Sequence, residues 1–178
     1  MCIRDSCNSI YLRQIMQQYA AGKSDDLAYR LARRNAHNAD AALSTTLANM
    51  LMEPGHFRKE ADVGFRFLVL SHTLLSYLSG LGAHRGTELP AQVREQLIDG
   101  AGVKLATSID EIAQGLASKT PIVVQSDEEE ALANELEQMP DEIDEGQRLV
   151  QTQLGLICRQ LGPLRTLAAH LVKDTSEA

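Results

Sequence analysis

Apolar side chains recur at helical spacing through nearly every stretch of this 178-residue chain, and glycine or proline stands wherever the spacing stops. Recurrence at i, i+3, i+4 and i+7 gathers apolar groups on one face of a helix, whereas a half-buried strand needs strict alternation. Leu12, Ile15, Met16 and Tyr19 follow the helical pattern in the first stretch. A second, from about Asp26 to Met52, carries Leu27, Leu31, Leu43, Leu47, Met50 and Leu51, with Ser24 or Asp25 placed to cap its free amides. A third runs from about Phe57 to Ala83 and is the most apolar. The fourth opens with Pro90 in its first turn, where a missing amide costs nothing, and lines up Val93, Leu97, Ala101, Leu105, Ile109, Ile112 and Leu116. Gly100 and Gly102 either weaken its middle or admit a close neighbour. Ser126 and Glu129 have the spacing of a capping box and predict a short acidic helix to about Gln138. The last stretch, from about Asp144 to Val172, carries Val150, Leu154, Ile157, Cys158, Leu161, Leu164, Ala168 and Leu171, and Gly162-Pro163 predicts a kink or break in it.

The breaks fall at Gly22 to Asp25, Glu53-Pro54-Gly55, Gly82 to Pro90, Ser118 to Pro121 and Met139-Pro140. Ile122-Val123-Val124 is the only strand-like run, too short for a sheet, and is expected to be an extended linker packed on the helices. Leu and Ala dominate the apolar residues, a balance that favours helix because their side chains lose little rotamer freedom there. The expectation is an all-α, mostly antiparallel bundle of five to six helices. It forms a single domain over 7–178, within which 125–145 is an acidic linker and short helix. Met1-Cys2-Ile3-Arg4-Asp5-Ser6 resembles translated adapter sequence, so residues 1–6 are expected to be a non-native leader.

The formal net charge of −7 is unevenly placed. Ten of the 24 acidic residues lie between Gln125 and Glu145, where there is no basic residue, and the rest of the chain is slightly positive. Such a balance argues against a nucleic-acid partner, which would call for a basic face. Cys2, Cys7 and Cys158 form neither a disulfide framework nor a zinc spacing, which fits a reducing compartment. The first 20 residues lack the basic start and apolar run of a signal peptide. Phe65 to Ala83 is long enough to span a bilayer, but Arg66, Ser71, His72, Thr73, Ser76 and Ser79 interrupt it. The favoured reading is a core helix contacted on all sides.

Candidate chemistry concentrates on the second stretch. Continuing the stripe from Leu27 and Leu31 leads to Arg34, Asn35 and Asn38 before Leu43 resumes it, so polar groups occupy expected core positions. Arg30, Arg33, His37, Asp40 and Ser44 line up on another face. Arg33, Arg34, Asn35, His37, Asn38, Asp40 and His72 are therefore the candidate polar cluster. It either binds an anion or couples to a neighbouring domain, or it is an ordinary hydrogen-bonded network that fixes helix packing. His72, on an apolar helix, is expected to be a satisfied core histidine. A metal-dependent hydrolase built on His37, Asp40 and His72, or His84, is the remote alternative. No HExxH or second ligand pair supports it, and no metal or cofactor is expected. Ser71-His72 has no nucleophile elbow, and Gly80-Leu81-Gly82 is no phosphate loop. Cys158 reads as core. The acidic run reads as a solvated face or, alternatively, as the docking surface of a freestanding protein–protein interaction module.

Two stretches carry a family resemblance. Arg33-Arg34-Asn35-Ala36-His37-Asn38-Ala39-Asp40-Ala41-Ala42-Leu43-Ser44 runs on to Met52-Glu53-Pro54. Phe65-Arg66-Phe67-Leu68 and Leu70-Ser71-His72-Thr73-Leu74-Leu75-Ser76-Tyr77 lead to Leu81-Gly82-Ala83-His84-Arg85. These resemble the C-terminal cytoplasmic region of YccS/YhfK-type, fusaric-acid-resistance-like (FUSC) inner-membrane proteins. The resemblance covers about a quarter of the chain and implies no catalytic residues. It implies an accessory domain with a regulatory, assembly or scaffold role, at the cytoplasmic face of a bacterial inner-membrane efflux transporter for aromatic acids. The implied partners are the membrane bundles of the parent chain and sister domains in a homo-oligomer.

Overall fold

The computed structural model describes residues 2–22, 26–52, 58–139 and 144–177, excepting the side chains of 2–5, 51, 58–61 and 174–177. Six helices follow one another: α1 Cys2–Ala21, α2 Leu27–Met52, α3 Arg58–Ala83, α4, α5 Asp127–Gln138 and α6 Glu145–Glu177. Helix α4 is one continuous rod of three parts, Ala91–Arg94, a π-helical stretch Glu95–Gly102, and Val103–Ser118. No strand occurs among the described residues. The expected all-α bundle is the fold observed. The breaks at Glu53-Pro54-Gly55 and at Lys23 to Asp25, the caps Ser24 and Asp25, Pro140, and the side chains of Met1 to Asp5 lie outside the described residues.

Contacts fix the helix directions. Met16 packs on Gly102 while the Ser9 hydroxyl donates to the Ala106 carbonyl (3.2 Å), so α1 and α4 are antiparallel. Leu47 meets Gly64 and Asp40 meets His72, so α2 and α3 are antiparallel. Gln153 lies against Gly80, and Gln160 donates to the Leu70 carbonyl (3.1 Å), which sets α6 antiparallel to α3. Helix α5 returns along α6, with Gln151 donating to the Leu136 carbonyl (2.7 Å) and the Cys158 thiol to the Glu129 carbonyl (3.2 Å). Helices α1, α2, α3, α6 and α4 enclose the core, and α5 packs outside on α6.

The core stripes of α1, α4 and α6 lie where periodicity puts them. Leu12, Ile15, Leu97, Leu105, Ile109, Leu154, Ile157 and Leu161 are all no more than 2% exposed, and Cys158 is 3% exposed. Gly102 is the close approach in α4. A Cβ there would overlap the Met16 sulfur, so the bare backbone lets α1 settle against the π-helical stretch.

Other expectations are corrected. The inward face of α2 is not the leucine stripe, for Leu27 is 70% and Leu31 50% exposed. Tyr29, Ala32, Ala36 and Leu47 face the core instead. Small alanines let α2 sit close to α1, so the buried side carries little apolar bulk to announce it. Helix α3 is not covered on all sides either, since Phe65 and Val69 are half exposed. Asp26 itself caps α2, its Oδ1 accepting from the Ala28 amide at 2.8 Å. Pro90 precedes α4 rather than opening it, with φ −53° and ψ 146°. Helix α6 runs through Gly162-Pro163 without a break. Pro163 and Arg159 are exposed, so the carbonyl that loses its amide partner faces water. The short acidic helix expected within 125–145 is α5, and it is not wholly solvated, because it buries Glu129, Leu132, Ala133 and Leu136. Of the linker before it, Ile122 packs on Gly115 while Val123 is 66% exposed.

A candidate interaction face on the second and third helices

A helix offers its seam with a neighbour and its outward arc to different tasks. On α2, Tyr29 and Ala36 mark the inward direction. Advancing 100° per residue places Leu27, Arg34 and Asn38 on the opposite side, with Arg30 and Leu31 flanking them. Arg33, His37 and Asp40 fall between the two, toward α3.

The proposed cluster is split accordingly. Asp40 and His72 meet across the α2–α3 seam, with Oδ2 and Nδ1 2.8 Å apart. The Asp40 side chain is 13% exposed and that of His72 is 66% exposed. His37 Nε2 lies 3.3 Å from the Ser79 hydroxyl, one turn further along the same seam. Arg33, Arg34, Asn35 and Asn38 are exposed. The reading of a buried polar cluster is therefore overturned, and so is that of His72 as a core histidine. The register of α2 turns most of its polar residues outward, and of the cluster only His37 and Asp40 touch α3. His37 and His72 address different partners, and among the described residues no group of three His, Cys, Asp or Glu side chains could hold a metal ion.

Two polar clusters escape periodicity. At the far end of α3, Tyr19 donates to the Leu81 carbonyl (2.9 Å) and Tyr29 to the Gly82 carbonyl (3.4 Å). Arg85 donates to the same Gly82 carbonyl (2.9 Å) while its guanidinium sits 4.3 Å from the Tyr29 ring centre. Burial above all, and then Tyr29, pushes the Tyr11 and Tyr19 phenols above their ordinary range. This set caps the carbonyl end of α3, where cations and donors are favoured.

The second cluster joins α4, α5 and α6. Arg165, its side chain 3% exposed, donates through Nε to Glu129 (2.8 Å) and through Nη2 to Glu111 (2.7 Å). Burial works against its charge, but the hydrogen bonds to Glu129 and Glu111 and their charges outweigh it and raise its pKa. Glu129 is thus spent inside the molecule. Its amide donates to the capping Ser126 hydroxyl (N to Oγ, 3.3 Å), but its carboxylate turns to Arg165, so only half of the capping box is made. Nearby, a groove of about 350 Å³ is lined by Ser126, Glu130, Cys158, Arg159 and Gly162 among others. Burial, and then the charge of Glu129, pushes the Cys158 thiol up to about 11, which keeps it protonated and unreactive at neutral pH.

Among the described residues no helix is long and apolar enough to cross a membrane. No protein-family model matches the chain, and no solved structure matches it. Three relatives are similar. Inner membrane protein YccS of Escherichia coli K12 is 32% identical over 176 residues, 96% of this chain and 23% of the relative. An uncharacterized protein of Haemophilus influenzae is 48% identical over 93 residues, 52% of this chain and 13% of that protein. The uncharacterized protein ORF2 of Neisseria gonorrhoeae is 37% identical over 78 residues, 43% of this chain and 19% of that protein. The chain spans under a quarter of the length of each. It is thus similar, along almost its whole length, to a segment of an inner-membrane protein.

Proposed function

We propose that this chain is a cytoplasmic accessory domain of a FUSC-type inner-membrane efflux system for aromatic acids, and that it performs no catalysis itself. The observation that carries this reading is the similarity of 96% of the chain to less than a quarter of an inner-membrane protein, with no membrane-length apolar helix among the described residues. Its role is regulation, assembly or scaffolding, with the parent protein's membrane bundles and sister domains as partners. The test is to delete the matching segment from the E. coli relative and to replace it with residues 7–178 of this chain. Deletion is expected to leave membrane insertion intact but abolish resistance to an aromatic acid, and the replacement to restore it. Unchanged resistance after deletion would remove the accessory role.

A second reading, a freestanding interaction module, draws on α5, whose first turn presents Asp127, Glu128 and Glu130 to solvent. Neutralising Glu128 and Glu130 would abolish salt-sensitive capture of a basic partner. Glu129 is excluded from that test because its loss disturbs the core.

A further inference from the structure

The outward arc of α2 combines two features that soluble surfaces rarely place together. Leu27 and Leu31, one turn apart, are 70% and 50% exposed. Beside them stand Arg30 and Arg34, with Arg33 on the flank toward α3, all exposed, and no acidic residue occurs from Leu27 to Ala39 in a chain whose net charge is −7. Four arginines elsewhere hold carboxylates: Arg13 holds Asp110, Arg66 holds Asp62, Arg159 holds Glu137 and Arg165 holds Glu129 and Glu111, whereas Arg85 spends its guanidinium on the Gly82 carbonyl and the Tyr29 ring. Arg33 and Arg34 hold no carboxylate among the described residues. Asp26, at the edge of the arc, spends its carboxylate on the Ala28 amide.

We infer that the first half of α2 is a docking surface for an anionic phospholipid bilayer, lying flat with the leucines at the headgroup–acyl boundary and the arginines among the phosphates. A helix with exposed apolar residues flanked by arginine suits that boundary, which offers negative charge and hydrocarbon side by side. The rival occupant is the acidic helix α5 of a second copy. It would satisfy the arginines, but among the described residues α5 exposes no large apolar side chain to receive Leu27 and Leu31. The inference rests on the proposed function only for the presence of a bilayer nearby; the face itself is set by α2.

The test is flotation of the full chain with vesicles of phosphatidylglycerol and phosphatidylethanolamine, against vesicles of phosphatidylcholine alone. The chain is expected to float with the anionic vesicles only and to be released as salt rises. Arg33→Gln with Arg34→Gln removes two surface cations, each contributing about five-fold, so partition falls on the order of thirty-fold. Leu27→Ser with Leu31→Ser lowers it as well. Lys104→Gln with Lys173→Gln, the same change in net charge at exposed sites elsewhere, leaves it unaltered. All these positions are exposed, and unchanged circular dichroism confirms that the variants fold. Failure to float, equal partition onto phosphatidylcholine, or equal loss in the lysine variant would overturn the inference. So would an arginine variant that dissociates a dimer in sedimentation while floating as before, which would assign the face to a second copy. Loss of vesicle binding leaves the resistance assay of the parent transporter untouched, so the two ideas fail separately.

Discussion

Replacing Arg165 by Met should unfold this protein more readily than any other single loss of charge. The guanidinium is 3% exposed and holds Glu129, itself 10% exposed at the side chain, with Glu111 at 59% on its outer side. Removing the cation strands Glu129 among Leu132, Cys158 and the 119–126 linker, whose Val123 carbonyl also lies 3.5 Å from Arg165 Nη1. Stranding one member of a buried pair costs about 3–5 kcal/mol. Glu111 returns to water and adds little, so the expected loss is about 3 kcal/mol. With a urea dependence of about 2 kcal/mol per molar, the midpoint falls by about 1.5 M. Glu129→Gln leaves Arg165 its outer partner and should cost about 1–2 kcal/mol. Arg165→Met combined with Glu129→Leu removes both charges and should be less damaging than Arg165→Met alone. Urea titrations followed at the helical circular-dichroism band measure all three. A loss under about 1 kcal/mol for Arg165→Met, or a double variant as poor as the sum of the singles, would refute the reasoning.

Other positions give sharper local outcomes. Gly82→Ala sets a Cβ 2.8 Å from the Tyr29 hydroxyl and 3.0 Å from that of Tyr11, and should cost about 1–3 kcal/mol in thermal melts. Lys119 ends α4 in the left-handed region at φ 53°, ψ 38°, so Lys119→Gly should stabilise by about 0.5–1 kcal/mol. Asn38→Ala, fully on the exposed arc, should change stability by no more than about 0.5 kcal/mol, whereas Asp40→Ala loses the His72 contact and costs about 1 kcal/mol. Stability should fall at high pH. The folded Cys158 thiol holds its proton to about 11 against an ordinary 9.0, so its contribution is complete below 9 and lost as pH climbs toward 11. The loss is on the order of 2 kcal/mol, with Tyr11 and Tyr19 acting in the same direction at still higher pH. Urea midpoints measured across that window, with Cys158→Ala as the comparison, check it.

The bundle could be read from periodicity because α1, α4 and α6 bury large residues on one stripe, as Leu12, Leu105 and Leu154 do. Helix α2 misleads because its inward side in this half is Tyr29, Ala32 and Ala36 while Leu27 and Leu31 point out. Apolar spacing finds a stripe but does not say that the stripe is covered. The Asp40–His72 pair falls among the residues singled out beforehand, yet its partners lie 32 residues apart on two helices, and nothing in either segment sets their mutual register. Arg165 and Glu129 are separated similarly, by 36 positions, and Glu129 looked like half of a capping box until the packing of α5 on α6 gave it a stronger partner. The tyrosine cluster is hidden for the same reason: Tyr19 and Leu81 are 62 residues apart.

The proposed function holds that this helical domain, with its own core, stands outside the bilayer on the cytoplasmic side of an inner-membrane protein. Protease shaving of membrane vesicles that carry the E. coli relative tests it directly. The account predicts a resistant helical fragment near this chain's 19.5 kDa released from inside-out vesicles and protected in right-side-out ones. Release from right-side-out vesicles alone, or a segment digested to small peptides in both, would contradict it.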